Sequence, residues 1–433
     1  MVDPRTREKK ESSHRARSPM KHPLSTLLHR MKTSFFPITL EPLEARIAPA
    51  AVLALSSDLK ISADGLTAMF TDVDGDIATL VTSKGAWTEP MFQLEPTGNF
   101  VGGSALKALT IPVGADFDGA NITITAKRDL FGGNGAVNFQ TLDATGVNLG
   151  KVSVKGALGF VLAGTGDAAV PALKSLQVQS LGELGAVSVA MPATNFLSTI
   201  TGNLGKLIVT SDIRHAELDV TGAVKSVTVG GSFTASKLAA GATLGPVSIR
   251  GDVVGASLAA PAIISAFGQK TSPAAGVDTA IASLTVGGRI EFARILAGYG
   301  TDGTPLDADA SIGAVKVGTD WIASTLLAGT GAGVDGYEGT ADDVKLSGAG
   351  VRDAADLFAT IASVTIKGQC YGTVATTDTF GIVAEQIGKA KIGTAKLPFV
   401  FGARTTGDTF YAAATGLGAT GELSDFAIFE VQL

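Results

Sequence analysis

The chain has 433 residues, 34 Lys/Arg against 40 Asp/Glu for a net charge of −6, one cysteine and 6% aromatic residues. That length can bury a sizeable core, which so few aromatics leave to Val, Ile, Leu and Ala. A single cysteine excludes an intramolecular disulfide, and the acidic balance excludes the clustered basic surface that nucleic-acid binding needs.

Charge is divided unevenly along the chain. Residues 1–32 hold nine Lys/Arg and three Asp/Glu, which leaves 25 of the basic and 37 of the acidic residues for the rest. The basic segment, rich in Ser and Pro, has no composition for a core and reads as a disordered targeting tail. Met31-Lys32-Thr33 looks like a natural start, with residues 1–30 upstream of it.

Leu40-Glu41-Pro42-Leu43-Glu44-Ala45-Arg46-Ile47-Ala48-Pro49-Ala50 comes next. It resembles the N-terminal LEPR-XLL-type motif of large exported and surface proteins of planctomycetes and verrucomicrobia. It departs from the commonest form at Ala45, where a second proline is usual. The resemblance implies an exported, extracellular or cell-surface protein in which residues 1–55 serve processing or sorting.

Residues 56–100 are expected to form a β cap. The runs at Leu59–Ile61, Leu66–Thr71 and Ile77–Thr82 read as strands. Asp72-Val73-Asp74-Gly75-Asp76 lies between the last two, where Asp-Gly is a hairpin signal.

Residues 101–400 carry a repeat: an aliphatic residue, a second one three positions on, and a third two beyond that. Ten copies begin at Leu149, Leu173, Leu184, Leu204, Val224, Leu244, Ile281, Ile312, Ile361 and Ile387, with a weaker one at Leu106. The four from Leu184 to Leu244 are spaced by twenty residues. The closing triplet alternates as a strand buried on one face does. A fixed short period predicts an all-β, parallel β-helix (β-solenoid) with coils of about twenty residues. Eleven coils at the strand spacing make a rod of roughly 50 Å. Stretches beyond the period must leave the rod as loops, at 244–281, 312–361 and 361–387. Residues 401–433, with Phe410, Tyr411, Phe426 and Phe429, are expected to cap the far end. No run reads as a membrane-spanning helix, since the longest uncharged stretch, Leu184–Gly205, contains Pro192, Asn195 and Asn203.

Hard cations take six to eight oxygens from flexible donors, and glycine lets a chain curl around them. Asp335, Glu338, Asp342 and Asp343 form the richest such loop, and Asp302, Asp307 and Asp309 a second. Similar flanking strings suggest that these two loops stack on one face and share ions. Asp72, Asp74 and Asp76 form a shorter match, as do Asp116 and Asp118 with Asn121. Ca²⁺ is the expected ion, with solvated turns as the plainer alternative.

Catalysis finds little support. His215 is the single histidine after residue 30, and no Ser, Asp or Cys pattern accompanies it. Cys370 reads as a packed core residue. The expectation is an exported structural or surface β-solenoid with an adhesive role, facing cell-surface components or polysaccharide. The alternative is a carbohydrate-active β-helix of the lyase or glycosidase kind, acting through Asp335, Asp342 or Asp343 with Arg294 or Arg289.

Overall fold

The computed structural model describes residues 58–96, 103–128, 133–183, 196–273, 275–373, 378–399, 409–411 and 425–431. The chain divides into two units, Met1–Leu53 and Ala54–Leu433, and all described residues belong to the second. The basic tail, the Leu40–Ala50 motif and the repeat copy at Leu184 lie outside the described residues.

Within them the protein is a parallel β-solenoid. Strands Leu149–Val154, Leu173–Val178, Leu204–Val209, Val224–Val229, Leu244–Ile249, Asp278–Val286, Ala310–Val317 and Thr360–Ile366 stack side by side in one sheet. Register places Leu149, Leu173, Leu204, Val224, Leu244, Ile281, Ile312, Ile361 and Ile387 in one column. These side chains point inward and are buried. Each contributes about 2 kcal/mol of apolar burial, and a one-residue slip of any strand would turn its whole set into water.

From the coil at Leu173 to the one at Thr360, each first strand is followed by a two-residue strand and a longer one. Ile213–Arg214 and Ala216–Val220 stack on Phe233–Thr234 and Lys237–Ala240 of the next coil. The chain turns between them at a residue with positive φ: His215 (50°), Ala235 (47°), Phe292 (49°) or Ala323 (41°). None of these is glycine, so the corner is held against a preference of about 1–2 kcal/mol. Serine hydroxyls brace it. Ser236 Oγ accepts the Ala216 N–H at 3.1 Å and donates to Thr234 O at 2.7 Å, and Ser324 does the same with Ala293 and Ile322. At another corner Asp212 Oδ1 accepts the N–H of Ser232 at 2.6 Å, and Ser232 Oγ accepts that of Asp252 at 3.1 Å. A Cβ on Gly231 or Gly251 would overlap these side chains, which is why glycine recurs after the inner strand.

Three sequence expectations shift. Leu173 pairs with Leu204, and the other edge of its strand pairs with Leu149–Val154. Leu106 sits in Ser104–Thr110, which pairs with Phe92–Pro96 and Phe139–Thr145 in the other sheet. The rung before Leu149 is Ala120, whose small side chain hid it from the pattern.

Both ends are closed by antiparallel pairing. Lys60–Ile61, Thr67–Thr71 and Ile77–Thr82 form a meander whose last strand pairs with Ala120–Lys127, which in turn pairs in parallel with the first coil. At the far end Ala395–Leu397 folds back on Ala390–Ile392, and Thr409–Tyr411 on Phe426–Glu430. These reversals leave short edges, which limits pairing with other chains.

Candidate metal centre and the acidic loops

The turn joining Thr67–Thr71 to Ile77–Thr82 is built by Asp72. Its Oδ1 accepts the N–H of Asp74 at 3.2 Å and of Asp76 at 2.9 Å, while its own N–H donates to Asp76 O at 2.9 Å. This closure sends the other two carboxylates toward a second segment. Asp74 Oδ2 accepts the N–H of Asn134 at 3.0 Å, and Asp76 Oδ2 accepts that of Gly135. The remaining oxygens, Asp74 Oδ1 and Asp76 Oδ1, are buried and accept no hydrogen bond. Asp76 is wholly buried and Asp72 nearly so.

One carboxylate oxygen from each of Asp72, Asp74 and Asp76 lies within 4.8 Å of the others, so the triad could hold a metal ion. A cavity of about 10 Å³ adjoins Asp72 and Asp74, lined also by Asn134, Asn138 and the apolar Phe70, Leu106 and Val137, a volume on the scale of a single water. Burial, with Asp74 beside it, pushes the Asp72 carboxyl up to about 8. Burial acts on Asp74 too, but the neighbouring Asp72 carboxyl and the Asn134 N–H prevail and lower it. Among the described residues no ion pair involves Asp72, Asp74 or Asp76. Crowded, dehydrated negative charge of this kind is what a divalent cation relieves. The Asp-x-Asp-x-Asp spacing was legible in sequence. The Asn134–Gly135 segment was not, and its small residues between strands were the available signal.

The other acidic residues are occupied differently. Asp302 is exposed and closes its own turn, its Oδ1 accepting from Thr304 N at 3.0 Å and Thr304 Oγ1 at 2.7 Å, which lowers its carboxyl. Asp307 and Asp309 are wholly buried. Arg352 pairs with Asp307 and with Asp278 at 2.9 Å, and Lys345 pairs with Asp309 at 3.3 Å, Asp353 at 2.8 Å and Glu385 at 3.3 Å. Burial still holds Asp307 up at about 6. Here the positive charge comes from side chains, which sequence reading had assigned to an ion.

In the longer loop Asp335 Oδ1 accepts the Tyr337 N–H at 2.8 Å, and Thr340 Oγ1 donates to Asp342 Oδ1 at 2.6 Å. Asp343 Oδ2 accepts the Gly339 N–H at 2.8 Å, and Glu338 pairs with Arg294. Asp118 accepts the Asn148 N–H at 3.3 Å, and Asn121 that of Lys151 at 2.7 Å. Among the described residues, only Asp72, Asp74 and Asp76 come together as a metal-ligating group.

The two long loops do stack on one face. Tyr299 of the first donates to Thr330 O of the second at 2.8 Å, and Thr330–Gly331 pairs with Val344–Lys345. What joins them is a small apolar core of Leu296, Tyr299, Leu327, Leu346 and Val383, with the ion pairs beside it. His215 is an exposed corner residue, and Cys370 is buried against the neighbouring coil opposite Trp321. Among the described residues no helix is long and apolar enough to cross a membrane.

The fold and its N-terminal triad thus define an all-β solenoid with a candidate cation site in its cap. No family model, no curated protein and no solved structure matches the chain.

Proposed function

We propose that this protein is an exported structural rod of the bacterial cell surface, with Ca²⁺ at Asp72, Asp74 and Asp76 fastening the cap to the first coils. The observation that carries the metal reading is the pair of buried, unbonded oxygens on Asp74 and Asp76 within the triad. The all-oxygen donor set suits Ca²⁺, whereas zinc sites draw on His and Cys. Mg²⁺ demands a near-ideal octahedron and dehydrates reluctantly, whereas Ca²⁺ accepts the irregular oxygen set that a turn offers. The rod reading rests on the stack of parallel strands from Leu149–Val154 to Ala390–Ile392 and on insertion loops whose carboxylates are met by hydrogen bonds and ion pairs. Export rests on the resemblance at Leu40–Ala50, and the extracellular space supplies millimolar calcium.

Thermal unfolding of the full chain tests this. Calcium at a hundredfold excess over its Kd contributes about 2.7 kcal/mol, so the midpoint should rise and fall back with chelator. Asp76→Asn should abolish the response. A midpoint indifferent to calcium, or raised equally by magnesium, refutes the calcium site.

A further inference from the structure

Three insertions converge on the positive-φ corner of the rod. Leu258 comes from the first, Glu338 from the second and Thr379 from the third. With Phe292, Arg294 and Phe380 they line an open cavity of about 100 Å³. Arg294 and Glu338 form an ion pair across it, with the Arg294 side chain 41% exposed. The Thr379 hydroxyl is buried there without a partner. Leu258 is 41% exposed at the rim. Among the described corners with positive φ, this one carries a phenylalanine, at φ 49°, where the others carry His215, Ala235 and Ala323.

The chemistry restricts the occupant. Arg294 and Glu338 neutralise each other, so the pocket selects neither an anion nor a cation. It offers donors, an acceptor and a free hydroxyl, which match neighbouring alcohols that donate and accept at once. Phe292, Phe380 and Leu258 supply apolar surface for a C–H face. We propose that this pocket binds one ring of a neutral sugar, making the insertion face a glycan-recognition site on the rod. The proposal rests on the surface-rod reading for the source of the sugar alone.

The test uses the full chain and the methyl glycosides of glucose, galactose, mannose and N-acetylglucosamine, with glucuronate as charged comparator, in saturation-transfer NMR and calorimetry. At least one neutral glycoside should bind with a Kd on the order of 1 mM. Glu338→Gln and Thr379→Val should each weaken it at least tenfold, Thr379→Val without moving the thermal midpoint. Chelator should leave sugar binding unchanged, which separates this site from the calcium site. The proposal is overturned if no neutral glycoside binds, if binding survives both substitutions, or if glucuronate binds better than every neutral sugar.

Discussion

The Asp252 carboxylate accepts the backbone N–H of Arg289, one coil further along the rod, at 2.9 Å. A side chain thereby supplies this N–H with an acceptor at a corner, where the strand ladder does not. The same carboxylate lies directly over Gly288.

Gly288→Ala should therefore be destabilising by about 2 kcal/mol, because the new methyl overlaps Asp252 Oδ1 and the backbone beneath it. Gly303→Ala provides the contrast: nothing lies within 4 Å of its Cβ, and only its φ of +83° is strained. It should cost about 1 kcal/mol. Thermal midpoints of the two variants, measured side by side, would rank them.

The positive-φ corner predicts an unusual pattern at Ala235, with φ 47°. Ala235→Val should cost about 2 kcal/mol, since a β-branched residue is a genuine outlier there. Ala235→Gly should be neutral or slightly stabilising, as relief of strain offsets the lost chain entropy. Urea midpoints that fell equally for both would contradict this account of the corner.

Arg352 holds Asp278 and Asp307 at once and stacks on Phe267, 4.5 Å from the ring centre. Arg352→Met should cost about 3–5 kcal/mol, because two buried carboxylates lose their counter-charge. Adding Asp278→Asn and Asp307→Asn should recover most of that loss. A triple variant no more stable than the single one would show that packing, and not charge, sets the cost.

Asp343 sets a pH dependence. Burial pushes its carboxyl up to about 7 from 3.8, against hydrogen bonds from Gly339 and Thr340. The fold therefore favours the protonated form. That contribution is full below the unfolded value and is lost as pH rises through about 7. Hydrogen exchange at Gly339 should accelerate beyond the intrinsic pH effect across that range, and Asp343→Asn should flatten the excess. An unchanged profile in the variant would exclude Asp343 as its source.

The sequence by itself determined the coil. Alternation fixes which side chains face inward, and a period near twenty allows only stacked short strands, so the inner column from Leu204 through Ile361 could be written down in advance. The meander around Asp72–Asp76 was equally legible, since its signals are local. Tertiary structure decided the rest. It chose Leu204 as the partner of Leu173, because register is set by which edges meet in space and a local motif carries no record of that. It admitted Ala120 as a rung and gave Leu106 to another sheet for the same reason. It also separated acidic residues that look alike in sequence. Asp307 and Asp309 met Arg352 and Lys345, whereas Asp74 and Asp76 met backbone N–H groups of Asn134 and Gly135 and kept oxygens to spare. Composition brings carboxylates near one another along the chain, but burial and the charge brought in by distant segments determine which of them are left wanting a cation.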